Sequence, residues 1–296
     1  MKVCNYRDMC GDKDCVHFHP HECSDVWPNH CNLVDRDTTC IDNPTLILGD
    51  CSSVLESLVD EYAGRVSLIV TSPPYYVGRG YESYLDSWDE YWEVLQDFVY
   101  FSSLLLEPGG KLAINFADRY ANSKIFGRPM EIAYLPKYES IMEDLPMVLW
   151  TRIIWDKVRV MIDGARHTTN KTRFTGDMRV APNWEYIFVW RKDSKGITNK
   201  ELDMTYDEWH EWVNGIWRFS SVPKNETLSS TKLAIFPEEL PYRLIKMYSS
   251  VGGIILDPFM GSATVPKVAA KLNRTGIGIE LDEETFKYAK GQIEND

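Results

Sequence analysis

The sequence has no run of 18 uninterrupted apolar residues, so nothing in it is built to cross a bilayer as a helix. Its first residues, MKVCNYRDMC, lack the apolar core of a secretion signal, which points to an intracellular, cytoplasmic and reducing setting. Cysteine is scarce over most of the chain: only Cys51 lies beyond residue 40, and no Pro-Cys pair offers a thiolate nucleophile. There is no complete G-x-G-x-x-G turn and no Walker lysine, which disfavours a dinucleotide or ATP. Positive charge is short as well. With 32 Lys and Arg against 44 Asp and Glu, the net charge of −12 argues against a protein that binds polyanions over its whole surface.

What is present is unevenly placed. The 296 residues are 44% apolar with ten tryptophans, ample for one large domain or one domain with an appended module. Six of the seven cysteines and four of the six histidines fall in the first 40 residues, which sets a small module at 1–41 apart from a main domain at 42–296. In that module Cys4, Cys10, Cys15 and His19 provide three thiolates and an imidazole, a ligand set suited to tetrahedral zinc. So short a segment buries too little apolar surface to fold unaided, and metal binding would supply the missing free energy. The spacing resembles CCCH-type zinc fingers, a family that commonly binds single-stranded RNA and sometimes DNA. Cys23, His30, Cys31 and Cys40 could form a second site; a disulfide framework is the competing explanation, disfavoured by the missing export signal.

Beyond residue 42, strand and helix patterns alternate, as expected of an α/β fold with a doubly wound, mostly parallel sheet. Strands are predicted at 46–50, 66–71, 111–116, 148–155, 184–190, 253–257 and 275–280. Helices are predicted at 52–62, 88–106, 237–250, 262–272 and 283–293, with a stop and turn at Glu107-Pro108-Gly109-Gly110. Positive charge concentrates in 151–200, where eleven Lys and Arg face five Asp and Glu. Residues 157–232 are therefore the candidate target-recognition region: 157–182 for phosphates and base edges, and 196–232, with Trp209, Trp212 and Trp217, for stacking or core packing.

Two strand ends carry chemistry. Thr71-Ser72-Pro73-Pro74-Tyr75-Tyr76 follows an apolar strand, and its prolines remove backbone donors while leaving carbonyls to face outward. A hydroxyl, a carbonyl and aromatic faces together suit something flat and hydrogen-bonding, although a sharp strand exit packed on the core would read the same way. Asp257-Pro258-Phe259-Met260-Gly261-Ser262-Ala263-Thr264 is a strand end, a small-residue turn and a helix start. Glu280 ends the next strand, where an acid suits a ribose diol.

Together these stretches resemble the amino-methylating DNA methyltransferases that use S-adenosylmethionine. DPFMGSAT is similar to that family's cofactor loop, TSPPY to its catalytic motif, and LILGDCSSVL, LLLEPGGKLAINF and KLAIFPEELPYRLI to further family segments. The catalytic motif precedes the cofactor loop, which is the permuted, β-class order. Ala263 stands where glycine is more usual, and Lys232 where histidine often stands. The resemblance implies that Ser72 and the Pro73 carbonyl accept from an exocyclic amino group, with Pro74 completing the motif and Tyr75 stacking on the base. It places Asp257 at the methionine end of the cofactor, Phe259 against the adenosine, Glu280 at the ribose and Asp50 at the adenine. Thr71, Pro258, Gly261, Ser262 and Ala263 are implied to complete the pocket.

The implied reaction is direct transfer, without a covalent enzyme intermediate, to a flipped base in double-stranded DNA or to a base already single-stranded. SPPY is associated in this family mostly with cytosine N4, and adenine N6 is the alternative. An RNA amino-methyltransferase would account for the CCCH-like segment. A protein glutamine methyltransferase has the opposite motif order, and a catalytically dead fold is hard to reconcile with an intact SPPY and Glu280. The family setting is DNA methylation, including restriction–modification, by a monomer or homodimer with no membrane partner.

Overall fold

A computed structural model describes residues 43–76, 87–121, 127, 130–158, 183–193, 203–222 and 236–294. Strand β1 (Thr45–Leu48) leads into helix α1 (Cys51–Tyr62), whose N-cap Asp50 accepts a hydrogen bond from the Ser53 N–H at 3.0 Å. Strand β2 (Val66–Thr71) is buried along its whole length, as a central strand covered on both faces must be. Helix α2 (Trp88–Leu105) starts at Ser87, whose hydroxyl caps the Glu90 N–H, with Asp89 and Glu90 in the first turn complementing the helix dipole.

Next come β3 (Leu106–Phe116), the short strands β4 (Arg119–Ala121) and β5 (Met130–Ile132), and helix α3 (Leu135–Met142). The chain continues with β6 (Met147–Asp156), β7 (Trp184–Lys192), helix α4 (Tyr206–Trp212) and β8 (Ile216–Arg218). It closes with α5 (Glu239–Tyr248), β9 (Ile254–Asp257), α6 (Thr264–Lys271), β10 (Thr275–Glu280) and α7 (Glu283–Glu294).

Eight strands form one sheet in the order β1-β10-β9-β2-β3-β7-β6-β8. The first five are mutually parallel; β7 runs antiparallel to β3 and β6, and β8 returns parallel to β6. The two faces of β2 feed two cores. Ile69 packs with Leu55 of α1 and Leu95 and Phe98 of α2, whereas Leu68 and Val70 pack with Leu244 of α5 and Val268 of α6. Helices on both faces make the sheet doubly wound, as expected, and each fully buried Leu or Ile contributes about 1.5–3 kcal/mol. All described residues fall within one compact unit, Asn43–Asp296.

The expected turn at 107–110 is absorbed into a strand. Val66 pairs with Leu106 but Leu68 pairs with Lys111, so Glu107–Gly110 bulges from a continuous β3, with Gly109 at φ 78°. Within 196–232, the described residues 203–222 place two of the three tryptophans away from a base-stacking surface. Trp212 and Trp217 are buried, and the Arg243 guanidinium lies about as far from both rings, 5.5 and 5.4 Å. The Trp217 indole N–H donates to the Trp212 carbonyl at 3.0 Å. These two tryptophans are core; Trp209 alone of the three is exposed.

Candidate active site

The carboxyl ends of β1, β10, β9 and β2 lie side by side, the edge at which parallel sheets bind ligands. Ile69 of β2 pairs with Leu256 of β9, so the strands end together and bring Thr71 to Asp257. The Thr71 hydroxyl donates to Asp257 Oδ1 at 2.6 Å, and the Phe259 N–H donates to the same oxygen at 3.1 Å. Asp257 is 1% exposed and forms no ion pair among the described residues. Burial pushes its pKa up to about 7, against the pull of the two hydrogen bonds and with a further push from the Glu280 charge. A dry carboxylate with no cation beside it is suited to a ligand ammonium group.

Glu280 is half-buried and held from both sides. Its Oε2 accepts from the Gly261 N–H at 3.0 Å and its Oε1 from the Asp282 N–H at 2.9 Å, while burial raises its pKa. The Met260 N–H to Ile279 carbonyl bond at 2.9 Å ties the small-residue loop to β10. That approach depends on Gly276 and Gly278: a Cβ on the first would overlap the Pro266 backbone, and on the second the Met260 and Pro266 side chains. Ala263 is fully buried with φ 61°. The alanine therefore holds the left-handed geometry for which glycine is more usual, at a cost of roughly 1–2 kcal/mol. Its neighbours Ser262 and Thr264 share a hydroxyl hydrogen bond at 3.0 Å across the helix start.

Asp50 is exposed beyond β1, where the Gly49 N–H donates to the Glu280 carbonyl at 2.9 Å. One of its oxygens is committed to capping α1 through Ser53. Phe259 is half-buried and packs edge-on against Phe98 at 5.3 Å, and Pro258 is buried.

On the SPPY loop Pro73 is buried, whereas Ser72, Pro74 and Tyr75 are half-buried. The Tyr91 hydroxyl donates to the Pro74 carbonyl at 3.0 Å, which anchors the loop from α2. Tyr76 stacks on Tyr91 at 5.8 Å and belongs to that aromatic packing. The Tyr75 oxygen accepts from the Ala117 N–H at 2.8 Å. Burial and the Glu185 charge push the Tyr75 phenol well above its usual range, and Arg119 pulls the other way. Tyr91, Ala117 and Arg119 carry no sequence signal of this role; only the fold brings them to the loop.

A family model described as DNA methylase, N6_N4_Mtase, matches residues 66–291, most of the chain. The chain belongs to this family. Among curated relatives, the type II methyltransferase M.MjaI of Methanocaldococcus jannaschii is 27% identical over 292 residues, covering 81% of this chain and 88% of that protein. M.HpaI of Haemophilus parainfluenzae, also a type II methyltransferase, is 27% identical, covering 83% and 74%. Among solved structures, TTHA0409 from Thermus thermophilus, complexed with S-adenosyl-L-methionine, superposes with TM-score 0.66 at 26% identity, over 85% of this chain and 93% of that one. The cytosine-N4-specific PvuII DNA methyltransferase shares the fold, with TM-score 0.65 at 20% identity over 86% and 91%.

This DNA methylase is thus an S-adenosylmethionine-dependent DNA methyltransferase with a Rossmann-like fold. The chemistry of Asp257, Glu280 and the small-residue loop is compatible with that cofactor: one buried carboxylate, which could face an ammonium group, and a half-buried one at the neighbouring strand end. The methylase's expected zinc ligands, Cys4, Cys10, Cys15 and His19 with Cys23, His30, Cys31 and Cys40, lie outside the described residues, as do 159–182, 194–202 and 223–235. Among the described residues no group of three His, Cys, Asp or Glu could hold a metal ion, and no helix is long and apolar enough to cross a membrane.

Proposed function

We propose that this methyltransferase modifies the exocyclic N4 of cytosine in DNA, with Ser72, Pro73, Pro74 and Tyr75 as its catalytic loop. The observation that carries the reading is the Thr71–Asp257 hydrogen bond, which fastens the residue before Ser72 to the first acid of the cofactor loop. With S-adenosylmethionine held at Asp257, this bond would keep the amino-group acceptors near the methyl donor, so that catalysis would rest on positioning. When bound, S-adenosylmethionine supplies an electrophilic methyl group. The amino lone pair is delocalised into the base ring. The Ser72 hydroxyl and the Pro73 carbonyl accept its two hydrogens and draw the nitrogen toward tetrahedral geometry, and Tyr75 stacks on the base. A neutral serine at the first position of the motif favours cytosine N4 over adenine N6, and PvuII DNA methyltransferase, which shares the fold, is cytosine-N4-specific. The base reaches the loop by flipping from a duplex or from a single strand.

Labelled methyl transfer to double-stranded DNA, single-stranded DNA and RNA, followed by nucleoside mass spectrometry, tests this. N4-methylcytosine in DNA is the expected product. N6-methyladenine would overturn the base assignment, and label in RNA alone would overturn the substrate.

The N-terminal Cys4, Cys10, Cys15 and His19 are assigned zinc on their ligand chemistry and spacing. Protein purified without added metal is expected to carry about one zinc per chain or more by mass spectrometry. Less than about half an equivalent would remove the assignment.

A further inference from the structure

Tyr75 is held by more than its own loop. The Arg119 guanidinium lies over its ring, with Cζ 4.5 Å from the ring centre, and Tyr134 meets the ring edge-on at 5.5 Å. Arg119 is in turn fixed by Glu185 at the start of β7, Nη2 to Oε1 at 3.0 Å. The Glu185 carboxylate is 9% exposed, and the same oxygen receives Lys157 Nζ at 2.5 Å. Lys157 is the first residue of the basic 157–182 segment. The ring is thus touched by the β3–β4 junction through Ala117 and Arg119 and by Tyr134, while Glu185 of β7 and Lys157 at the end of β6 act on it through Arg119.

We propose that Arg119 is a positioning residue for methyl transfer, setting the plane of Tyr75 while Glu185 anchors it and limits its charge. The inference rests on the methyl-transfer reading above and adds a residue to it. A tyrosine ring attached through one Cβ can rotate about χ1 and χ2. The Ala117 N–H and a hydrogen bond from the Arg119 side chain hold its hydroxyl end, but bonds to the hydroxyl do not by themselves set the ring plane about its long axis. A planar guanidinium laid against the ring removes that freedom, because stacking favours one ring plane. The guanidinium can do this only if its own position is fixed, and a nearly buried carboxylate on a sheet strand is a rigid anchor.

Charge supplies the second half of the argument. The amino nitrogen gains positive character as it bonds to the methyl group, so an uncompensated cation beside the base opposes the reaction. Glu185 faces both Arg119 and Lys157 and leaves one net positive charge where there would otherwise be two.

The test uses the full chain with Arg119→Met, Arg119→Lys and Glu185→Gln. Single-turnover methyl transfer is measured on genomic DNA from a host lacking the modification, cofactor affinity by calorimetry, and ring environment by the fluorine signal of 3-fluorotyrosine placed at position 75. Arg119→Met is expected to slow transfer by about 10- to 100-fold, with cofactor Kd within about twofold and a shifted or broadened fluorine line. Arg119→Lys restores part of the rate, and Glu185→Gln behaves as Arg119→Met does. A transfer rate within about twofold of the unmodified protein in Arg119→Met, or an unchanged fluorine line, overturns the proposal. So does a parallel loss of cofactor affinity and melting temperature, which would make the pair merely structural. Absence of transfer by the unmodified protein removes the methyl-transfer reading and this role with it, a result distinct from an active enzyme indifferent to Arg119.

Discussion

Asp257→Asn is expected to raise the melting temperature of the cofactor-free protein at pH 8 while removing its affinity for S-adenosylmethionine. Asparagine keeps the oxygen that accepts from Thr71 and from the Phe259 N–H, so the loop geometry survives. What it removes is a buried charge. The folded-state pKa of Asp257 is raised from 3.8 to about 7, so between those values the folded protein binds a proton that the unfolded chain has released. Stability from this group is full below about pH 4 and is lost as pH rises through about 7. The loss amounts to roughly 4 kcal/mol at most, by the 1.36 kcal/mol per pKa unit of linkage. The variant's thermal advantage should therefore be larger at pH 8 than at pH 5. Cofactor affinity should fall by about 2–5 kcal/mol, because the ligand ammonium group loses its ionic partner. Melting curves at the two pH values and calorimetric titration with cofactor check both halves. Lower stability at pH 8, or affinity close to that of the unmodified protein, would show that Asp257 does not wait for a cation.

The second large effect is at the catalytic loop. Ser72→Ala should slow methyl transfer by about 100- to 1,000-fold, the loss typical of one preorganised polar contact to a developing charge. Tyr75→Ala should be as severe, since it removes the stacking face and also leaves Arg119 with nothing to lie against. Tyr75→Phe should stay within about tenfold, because it loses the hydroxyl's hydrogen bonds with Ala117 and Arg119 but keeps the ring face. All three should bind cofactor normally, since Asp257 and Glu280 are held by hydrogen bonds from Thr71, Phe259, Gly261 and Asp282. Single-turnover rates and cofactor titrations on the same preparations give the answer. Near-normal transfer by Ser72→Ala would remove its role as acceptor.

Much of the fold was legible in the sequence because its central strands are short, mostly buried runs. Residues 66–71 and 275–280 form strands with the limits that were expected, being short apolar runs between turn residues. The strands that escaped are short: β4, β5 and β8 have three residues each, too few for periodicity to register, and the eight-residue helix α3 was missed as well. Helix α4 was findable. Thr205-Tyr206-Asp207-Glu208 is a capping box, with both reciprocal hydrogen bonds formed in the structure. The site divides in the same way. Thr71, Asp257 and Glu280 announce themselves by sitting at strand ends within two residues of a proline or glycine. Arg119 lies 44 positions beyond Tyr75 and reaches it from just past the end of β3, and Glu185, 110 positions beyond, reaches Arg119 because β7 runs back along β3. Trp212 and Trp217 were ambiguous by composition, and their burial resolves it.

The place of β9 beside β2 has a consequence for synthesis of the protein. Thr71 and Asp257 share a hydrogen bond although 186 positions separate them. At about 5–20 residues per second, a ribosome needs roughly 10–40 s to travel from one to the other. Throughout that interval the VSLIVT strand has one edge without its native neighbour, a condition that invites pairing with the wrong chain. The nascent enzyme therefore passes through a long stage in which its catalytic loop already exists, its cofactor loop does not, and holdase chaperones have a strand edge to protect.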